Sequence, residues 1–171
     1  MKKAILLTLA LALMLGGCGD KNKNTAQDMT AEERIQCYET AIQAARDADA
    51  NNAFPIVTSV EEDQGQALFD LFGLKAEDVE ACALSASMMN VKAYGIAAVY
   101  PKAGREEAVR SGLNDFIVAQ KGNFEQYLAD QYDIANKARL GTLTDGTILL
   151  VMCEDQDQVY ESIRKSIEEK S

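Results

Sequence analysis

The sequence contains neither histidine nor tryptophan among its 171 residues. Nucleophilic sites of the Ser–His–Asp and Cys–His kinds need an imidazole, so they are excluded, together with histidine-bearing zinc sites. An enzyme built on this chain would have to use carboxylate, lysine, tyrosine or cysteine side chains. The absence of tryptophan also argues against a surface that binds sugars by stacking aromatic rings on them.

Positive charge is scarce as well. The chain has 17 Lys and Arg residues against 27 Asp and Glu residues, which gives a formal net charge of −10 at pH 7. An acidic surface repels the phosphate backbone, so we expect no nucleic acid partner. It also disfavours direct docking of the domain onto anionic lipid.

The four cysteines do not form a metal-binding pattern. Cys18 closes an apolar segment, and Cys37, Cys82 and Cys153 are widely spaced without a C-x-x-C pair. We therefore expect neither a metal nor a cofactor. The last three cysteines allow one disulfide with a free thiol, or three buried thiols, and the frequent burial of free cysteine favours the thiols.

The N-terminus has the order of a bacterial secretory signal. Lys2 and Lys3 supply a positive start, residues 4–15 form an apolar run, and small glycines follow. The run of twelve residues is shorter than the about 20 that a bilayer-spanning helix needs. A retained transmembrane helix is therefore not expected.

The end of this segment looks like a lipobox, because Cys18 directly follows the small residue Gly17. We predict a signal peptide over residues 1–17, cleavage between Gly17 and Cys18, and a covalent diacylglycerol on Cys18. Two acyl chains anchor a protein stably, whereas one binds only reversibly. The mature protein would then be lipid-anchored on the extracytoplasmic face of the cell membrane. An ordinary secretory signal with an incidental cysteine is the alternative.

The rest of the chain divides into a tether and one domain. Residues 19–28 are polar without apolar spacing, and they predict a flexible tether that begins at the lipidated Cys18 and covers residues 18–29. Residues 30–171 are long enough for a single domain with a sizeable core.

The first folded segment has the pattern of an amphipathic helix. Thr30 and Glu33 form a capping-box pattern. The apolar residues recur at three- and four-residue steps: Ile35, Tyr38, Ile42 and Ala45. Arg34 and Arg46 lie mostly off this apolar face. Two asparagines and Pro55 end the helix.

Three further helices are predicted. A short helix covers residues 66–72 and is closed by Gly73. The longest helix starts at Arg105, and the final helix is capped by Asp155 or Asp157.

Four segments predict strands: residues 82–89, 93–100, 140–143 and 148–152. The first two alternate with a period of two, and a turn at Asn90 and Val91 joins them. The last two are joined by the Asp145 and Gly146 pair, which is typical of a tight hairpin. The fold class that follows is α+β, two-layer, with a mostly antiparallel four-stranded sheet built from two hairpins. A long central helix and the N- and C-terminal helices would pack on at least one face.

Several short runs resemble a known family: L-F-G-L at residues 71–74, E-D-V-E at 77–80 and S-M-M-N-V at 87–91. Phe124-x-x-Tyr127 and the strand at 148–151 continue the likeness. The family resembled is an uncharacterised Gram-positive bacterial lipoprotein family, the domain of unknown function 4358. The resemblance implies the lipid anchor and this fold. It implies no chemistry, because the family has no established activity.

One candidate binding site lies at the end of the first predicted strand. Met88, Met89 and Asn90 stand there beside Tyr94. Flexible, polarizable methionine suits an adaptable binding surface, so a peptide- or ligand-docking edge is the functional interpretation. Core filling with a turn asparagine is the alternative, and the one favoured.

A second candidate follows the longest helix, where Tyr127, Gln131 and Tyr132 are interleaved with Asp130 and Asp133. Such a cluster could bind a sugar or a peptide amine. A helix end with solvated acids is the favoured alternative.

The acidic residues Glu154, Asp155 and Asp157 could bind a hard cation. They lack the glycine and the distant glutamate of a calcium loop, so helix capping explains them better. No catalytic residue and no metal ligand are predicted.

We therefore expect an extracytoplasmic lipoprotein that acts as a binding or interaction module, held at the membrane by its anchor. It would capture a small ligand or serve as an accessory subunit to an envelope protein partner. A carboxylate-based envelope enzyme, such as a glycan hydrolase using Asp133 or Glu154, is the alternative. A structural spacer is a third possibility.

Overall fold

The computed structural model describes residues 29–170. The predictions for the signal peptide, Gly17, Cys18 and the tether lie outside the described residues, apart from the tether's last position. Six α-helices and four strands are described: α1 (Ala31–Ala45), α2 (Ala48–Ala53), α3 (Gly65–Leu71), β1 (Val79–Ala86), β2 (Gly95–Pro101), α4 (Glu106–Phe124), α5 (Ala129–Asn136), β3 (Arg139–Thr142), β4 (Ile148–Met152) and α6 (Gln156–Glu168). Within residues 29–170, no helix is both long and apolar enough to cross a bilayer.

The four strands form one antiparallel sheet in the order β1-β2-β4-β3. Strands β1 and β2 pair as one hairpin, strands β3 and β4 as the other, and β2 lies beside β4. The predicted α+β class with a four-stranded antiparallel sheet from two hairpins is confirmed.

Helices cover both faces of this sheet. Alternate strand residues point to opposite sides, and they divide between two apolar clusters. Leu84, Val99 and Leu150 pack in the cluster that contains α3 and α4. Ala83 and Ala98 pack in the cluster that contains α1 and α6. The N-terminal, long and C-terminal helices therefore all pack on the sheet, as predicted.

The first helix is shorter than predicted. The capping box at Thr30 and Glu33 is present, but α1 ends at Ala45 because Arg46 adopts an extended conformation (φ −128°, ψ 160°). Asp47 then caps α2, its side chain accepting a hydrogen bond from the Ala50 N–H at 2.7 Å. The expectation of one continuous helix across Arg46 was wrong.

Strand β1 ends at Ala86, three residues before the predicted end. Its pairing with β2 stops at Ala86 opposite Gly95, so the Met88 and Met89 pair lies in the connection beyond the sheet. The predicted strand boundaries were wrong here because both faces of the sheet are buried, and apolar residues continue past the ladder.

Two glycines bring α3 and α4 together. Gly73 closes α3 with a left-handed φ of +65°, as predicted. A Cβ added to Gly112 of α4 would lie 2.2 Å from the Gly73 carbonyl oxygen. Glycine at position 112 therefore permits the close approach of the two helices.

Helix α1 connects two different ends of the molecule. The Arg34 end contains the start of α1 and the β3–β4 turn at residues 143–147, because Arg34 contacts Asp145 in that turn. The Arg46 end contains the end of α1, residues 87–94 and the start of α6, because Arg46 contacts Tyr94 next to β2.

Candidate functional site

A cavity of about 450 Å³ opens at the Arg46 end. Three separate segments of the chain line it. The α1–α2 region contributes Ala45, Arg46, Asp47, Asp49, Ala50, Ala53 and Phe54. The end of the β1–β2 connection and the start of β2 contribute Lys92, Tyr94 and Ile96, and the segment after β4 contributes Cys153, Glu154, Asp155, Gln158 and Val159. The volume lies in the range of small-molecule sites.

Arg46 is held rigidly at this cavity. Its Nη1 donates hydrogen bonds to the Ser85 Oγ at 2.8 Å and to the Tyr94 hydroxyl at 2.9 Å. Its Nε donates to the Asn51 Oδ1 at 2.6 Å. All three partners are neutral, and no carboxylate within residues 29–170 lies within 4.0 Å of its guanidinium nitrogens.

An aromatic pair forms one wall. The rings of Phe54 and Tyr94 are stacked, with centroids 4.0 Å apart and an interplanar angle of 17°. The Lys92 Nζ lies 5.7 Å from the Phe54 centroid. Burial raises the pKa of Tyr94 above its usual value, against the opposing effect of its hydrogen bond with Arg46. The Tyr94 hydroxyl is therefore neutral near pH 7.

The thiol of Cys153 borders the cavity and is not an activated nucleophile. Burial raises its pKa to about 12, and the nearby Asp155 and Glu154 carboxylates add to the increase. A thiol must ionise to attack, so this one is inert near pH 7. Cys37, Cys82 and Cys153 are all free and buried, and the interpretation as three buried thiols is confirmed.

The mouth of the cavity is acidic. Asp49, Glu154 and Asp155 are exposed there. Asp155 occupies the N-cap position of α6, which is one of the two predicted positions, but its backbone is left-handed (φ 55°) and its side chain makes no capping hydrogen bond. Asp157 is instead paired with Arg139 at 3.5 Å.

A model of one protein family matches residues 56–153, and its description is "Domain of unknown function (DUF4358)". The match covers more than half of the 171 residues. The chain belongs to this family. No curated protein and no solved structure matches the chain. The matched DUF4358 region includes Lys92, Tyr94 and Cys153 of the cavity, whereas Arg46 and Phe54 precede it.

The first predicted candidate group, Met88, Met89, Asn90 and Tyr94, does not form one site in the DUF4358 domain. Its members lie along the β1–β2 connection in different environments. Tyr94 is buried in the cavity wall. Met88 and Met89 are 49% and 67% exposed, and Asn90 is exposed in a turn. The turn assignment for Asn90 is correct, but the core-filling interpretation of the two methionines was wrong because the chain leaves the sheet before them.

The second predicted candidate group is also divided. Tyr127 is 87% exposed between α4 and α5, whereas Tyr132 packs partly buried against the core. The Gln131 Oε1 accepts a hydrogen bond from the Ala93 N–H at 2.8 Å and so ties α5 to the β1–β2 connection. Asp130 is exposed, and a hydrogen bond from Gln131 lowers its pKa.

Of the two carboxylates considered for catalysis, Asp133 and Glu154, only Glu154 lies at the cavity. Glu154 lines the cavity mouth, and Asp133 is exposed on α5 and is not among the lining residues. Within residues 29–170, no group of three or more His, Cys, Asp or Glu side chains could hold a metal ion.

Sequence reasoning missed three central cavity residues: Arg46, Phe54 and Lys92. Arg46 was assigned to the solvent-facing side of a helix that in fact ends beside it. Phe54 gave no periodic signal, because it stands between α2 and Pro55. Only the packing of distant segments reveals the site.

Proposed function

We propose that this chain is an extracytoplasmic lipoprotein, anchored through a diacylglycerol on Cys18, that captures a small ligand in the cavity at its Arg46 end. The observation that carries the proposal is the cavity itself, with its stacked aromatic wall and its immobilised arginine. These are features of ligand sites, which combine apolar walls with a few oriented polar groups.

The position of the cavity suits such an anchor. The 15 residues of α1 make a helix roughly 22 Å long, and the tether would join at its start, at the Arg34 end. The ten polar residues 19–28 of the tether would span about 17 Å root-mean-square as a flexible chain. The cavity opens at the far end of α1, where neither the tether nor the membrane would obstruct a ligand.

The anchor is tested by feeding cells a labelled fatty acid. The full-length protein should incorporate the label, and Cys18→Ala should abolish incorporation. Cys37→Ala, which alters a buried cysteine of the domain, is the matched control and should be labelled like the parent. Label retained in Cys18→Ala, or absent from the parent, would contradict the lipoprotein assignment.

Ligand capture is tested by thermal unfolding of the full chain with panels of amino acids and short peptides, sugars, nucleotides and inorganic anions. At least one class should raise Tm, because a ligand that binds only the folded state stabilises it. Phe54→Leu, which removes the stacked ring, should reduce that rise, and Val118→Leu on the exposed face of α4 should not. If no class raises Tm, the capture role is contradicted.

A second candidate function, accessory subunit of an envelope complex, is favoured by the β1–β2 connection. Met88, Met89 and Val91 are all large apolar side chains at least 49% exposed within four consecutive positions. Clustered exposure of this kind is typical of protein contacts. A stoichiometric partner retained in mild detergent should be lost in Met89→Ser and kept in Val118→Ser, a control at a position that is 59% exposed. Equal retention by both variants would contradict this role.

A further inference from the structure

We propose that the cavity binds a small zwitterion of the amino-acid or short-peptide class that carries an apolar side chain. Its carboxylate would pair with Arg46, its amine would lie at the acidic mouth, and its side chain would pack on the wall formed by Phe54 and Tyr94. This inference names the ligand class of the site proposed above and rests on that proposal.

The carboxylate follows from the unpaired charge of Arg46. Four other arginines of the described chain have a carboxylate within 4.0 Å: Arg34, Arg105, Arg139 and Arg164. Arg110 has none within residues 29–170, but it is exposed to water. Arg46 combines partial burial with neutral partners alone. A half-buried guanidinium without a counter-charge favours an anionic ligand group.

One guanidinium nitrogen of Arg46, Nη2, keeps its donors for an anion. A guanidinium has five N–H donors. Three of them are used by the Asn51, Ser85 and Tyr94 bonds, which leaves the two on Nη2 without a hydrogen-bond partner in the described chain. Because the other bonds fix the plane of the group, little side-chain entropy would be lost when a carboxylate binds.

We infer the amine group of the ligand from the excess of negative charge among the residues that line the cavity. Two cations, Arg46 and Lys92, face four carboxylates around the cavity. The Asp47 carboxylate caps α2. The Asp49, Glu154 and Asp155 side chains make no hydrogen bond or ion pair within residues 29–170. A multiply charged anion such as phosphate would be repelled by this mouth, and a carboxylate with an amine would satisfy both sets of charges.

The apolar side chain follows from the walls. The Phe54 and Tyr94 rings, Ile96 and Val159 are among the apolar side chains that line the cavity. A ring or a branched aliphatic group placed there would bury apolar surface against these side chains, which favours binding.

The test is isothermal titration calorimetry on the full-length lipidated protein in detergent micelles. The probes are L-phenylalanine and L-alanyl-L-phenylalanine, the amide of each, which lacks the carboxylate, the N-acetyl form of each, which lacks the amine, and inorganic phosphate. At least one parent compound should bind, and its amide and its N-acetyl form should each bind at least tenfold more weakly. Equal affinity for the parent and its amide would overturn the proposal, as would tighter binding of phosphate.

The assignment of the carboxylate to Arg46 is tested by coupling. Arg46→Gln should weaken binding of the parent compound at least tenfold and leave the affinity of its amide unchanged, because the amide has already lost the contact. Arg110→Gln, the matched control, should change neither affinity. Arg46→Lys keeps the charge but loses the guanidinium nitrogen Nη2 that the other hydrogen bonds hold in place. It should therefore lose affinity for the parent compound more than for the amide, and it keeps the test usable if the Gln variant fails to fold. Equal losses for acid and amide would overturn the assignment.

These outcomes are separable from those of the proposed function. If a sugar or nucleotide raises Tm through Phe54 and no zwitterion binds, the ligand class is wrong and ligand capture stands. If no class of compound binds, both are wrong.

Discussion

Arg34 and Arg46 lie at the two ends of α1, and they differ in burial and in the charge of their partners. Arg34 is 1% exposed and pairs with the buried Asp145 carboxylate at 3.1 Å. Its guanidinium also lies 3.7 Å from the centre of the Tyr100 ring. Arg46 is half-buried, contacts neutral groups alone, and borders a cavity. Arg34 therefore stabilises the fold through its ion pair, whereas Arg46 keeps donors that could bind a ligand.

The Arg34 end contains a buried polar network. The Asp145 carboxylate accepts hydrogen bonds from the Thr147 N–H at 2.9 Å and the Thr147 hydroxyl at 2.7 Å. The Tyr38 hydroxyl lies 2.7 Å from the Thr147 Oγ1. A buried pair of charges is not itself a large gain in stability, because desolvation offsets the attraction. Its effect is to hold the start of α1 in one position on the β3–β4 turn.

The largest expected effect comes from opening this network. Arg34→Met leaves the Asp145 charge buried without its partner and should lower the free energy of unfolding by about 3–5 kcal/mol. Urea denaturation measures the change. Adding Asp145→Leu to the same chain should recover part of the loss, since the orphaned charge is then gone. A loss below about 1 kcal/mol would mean that water reaches the pair, and the contrast between the two ends would disappear.

The buried Cys82 thiol should make the stability of the protein fall at alkaline pH. This loss comes from burying a neutral group, in contrast to the buried charges at the Arg34 end. Burial raises the pKa of the Cys82 thiol from 9.0 to about 12. In the unfolded chain the thiol ionises near pH 9, so stability is complete below that pH and is lost as the pH rises towards 12. Each such thiol should remove about 1.4 kcal/mol per pH unit in this window.

Urea denaturation at pH 8, 9, 10 and 11 measures this loss. Cys82→Ala should make the decline with pH less steep than in the parent chain. An unchanged slope would show that Cys82 is solvated in the folded state.

A smaller loss is expected at the cavity. Arg46→Gln removes hydrogen bonds to neutral groups and leaves no buried charge behind, so it should cost about 1–2 kcal/mol. Comparing its urea midpoint with that of Arg34→Met sharpens the contrast. A loss at Arg46 as large as that at Arg34 would identify it as part of the structural core.

The smallest effects concern the two helix caps. Thr30→Ala removes the cap of α1 at the Arg34 end, and Asp47→Ala removes the cap of α2 at the cavity; each should cost about 1 kcal/mol. Thermal unfolding should show similar losses. Binding of phenylalanine-type probes should change in Asp47→Ala alone, and a change of affinity in Thr30→Ala would contradict the separation of the two ends.

The regular elements could be predicted because their signals are local. Alternation marked the first hairpin, the Asp145 and Gly146 pair marked the second, and Gly73 marked the end of α3. Each of these depends on residues within a few positions of one another. The prediction of strand ends failed because helices on both sides of the sheet make both faces apolar.

The candidate site could be predicted only in part, because it is assembled from distant segments. Arg34 was expected off the apolar face, and it is buried because Asp145, 111 residues away, compensates its charge. Tyr94 was identified as a candidate, but its stacking partner Phe54 and its hydrogen-bond partner Arg46 lie at least 40 positions earlier in the sequence. No local pattern links such residues.

The measurement that tests the account most directly is a two-dimensional NMR titration of the full-length protein in micelles with L-phenylalanine and L-alanyl-L-phenylalanine. For at least one of them, the account predicts saturable shifts at Arg46, Phe54, Tyr94 and residues 153–159, and none at Arg34 or Thr147. Shifts that concentrate at the Arg34 end, or no saturable shift at the cavity with either probe, would contradict it.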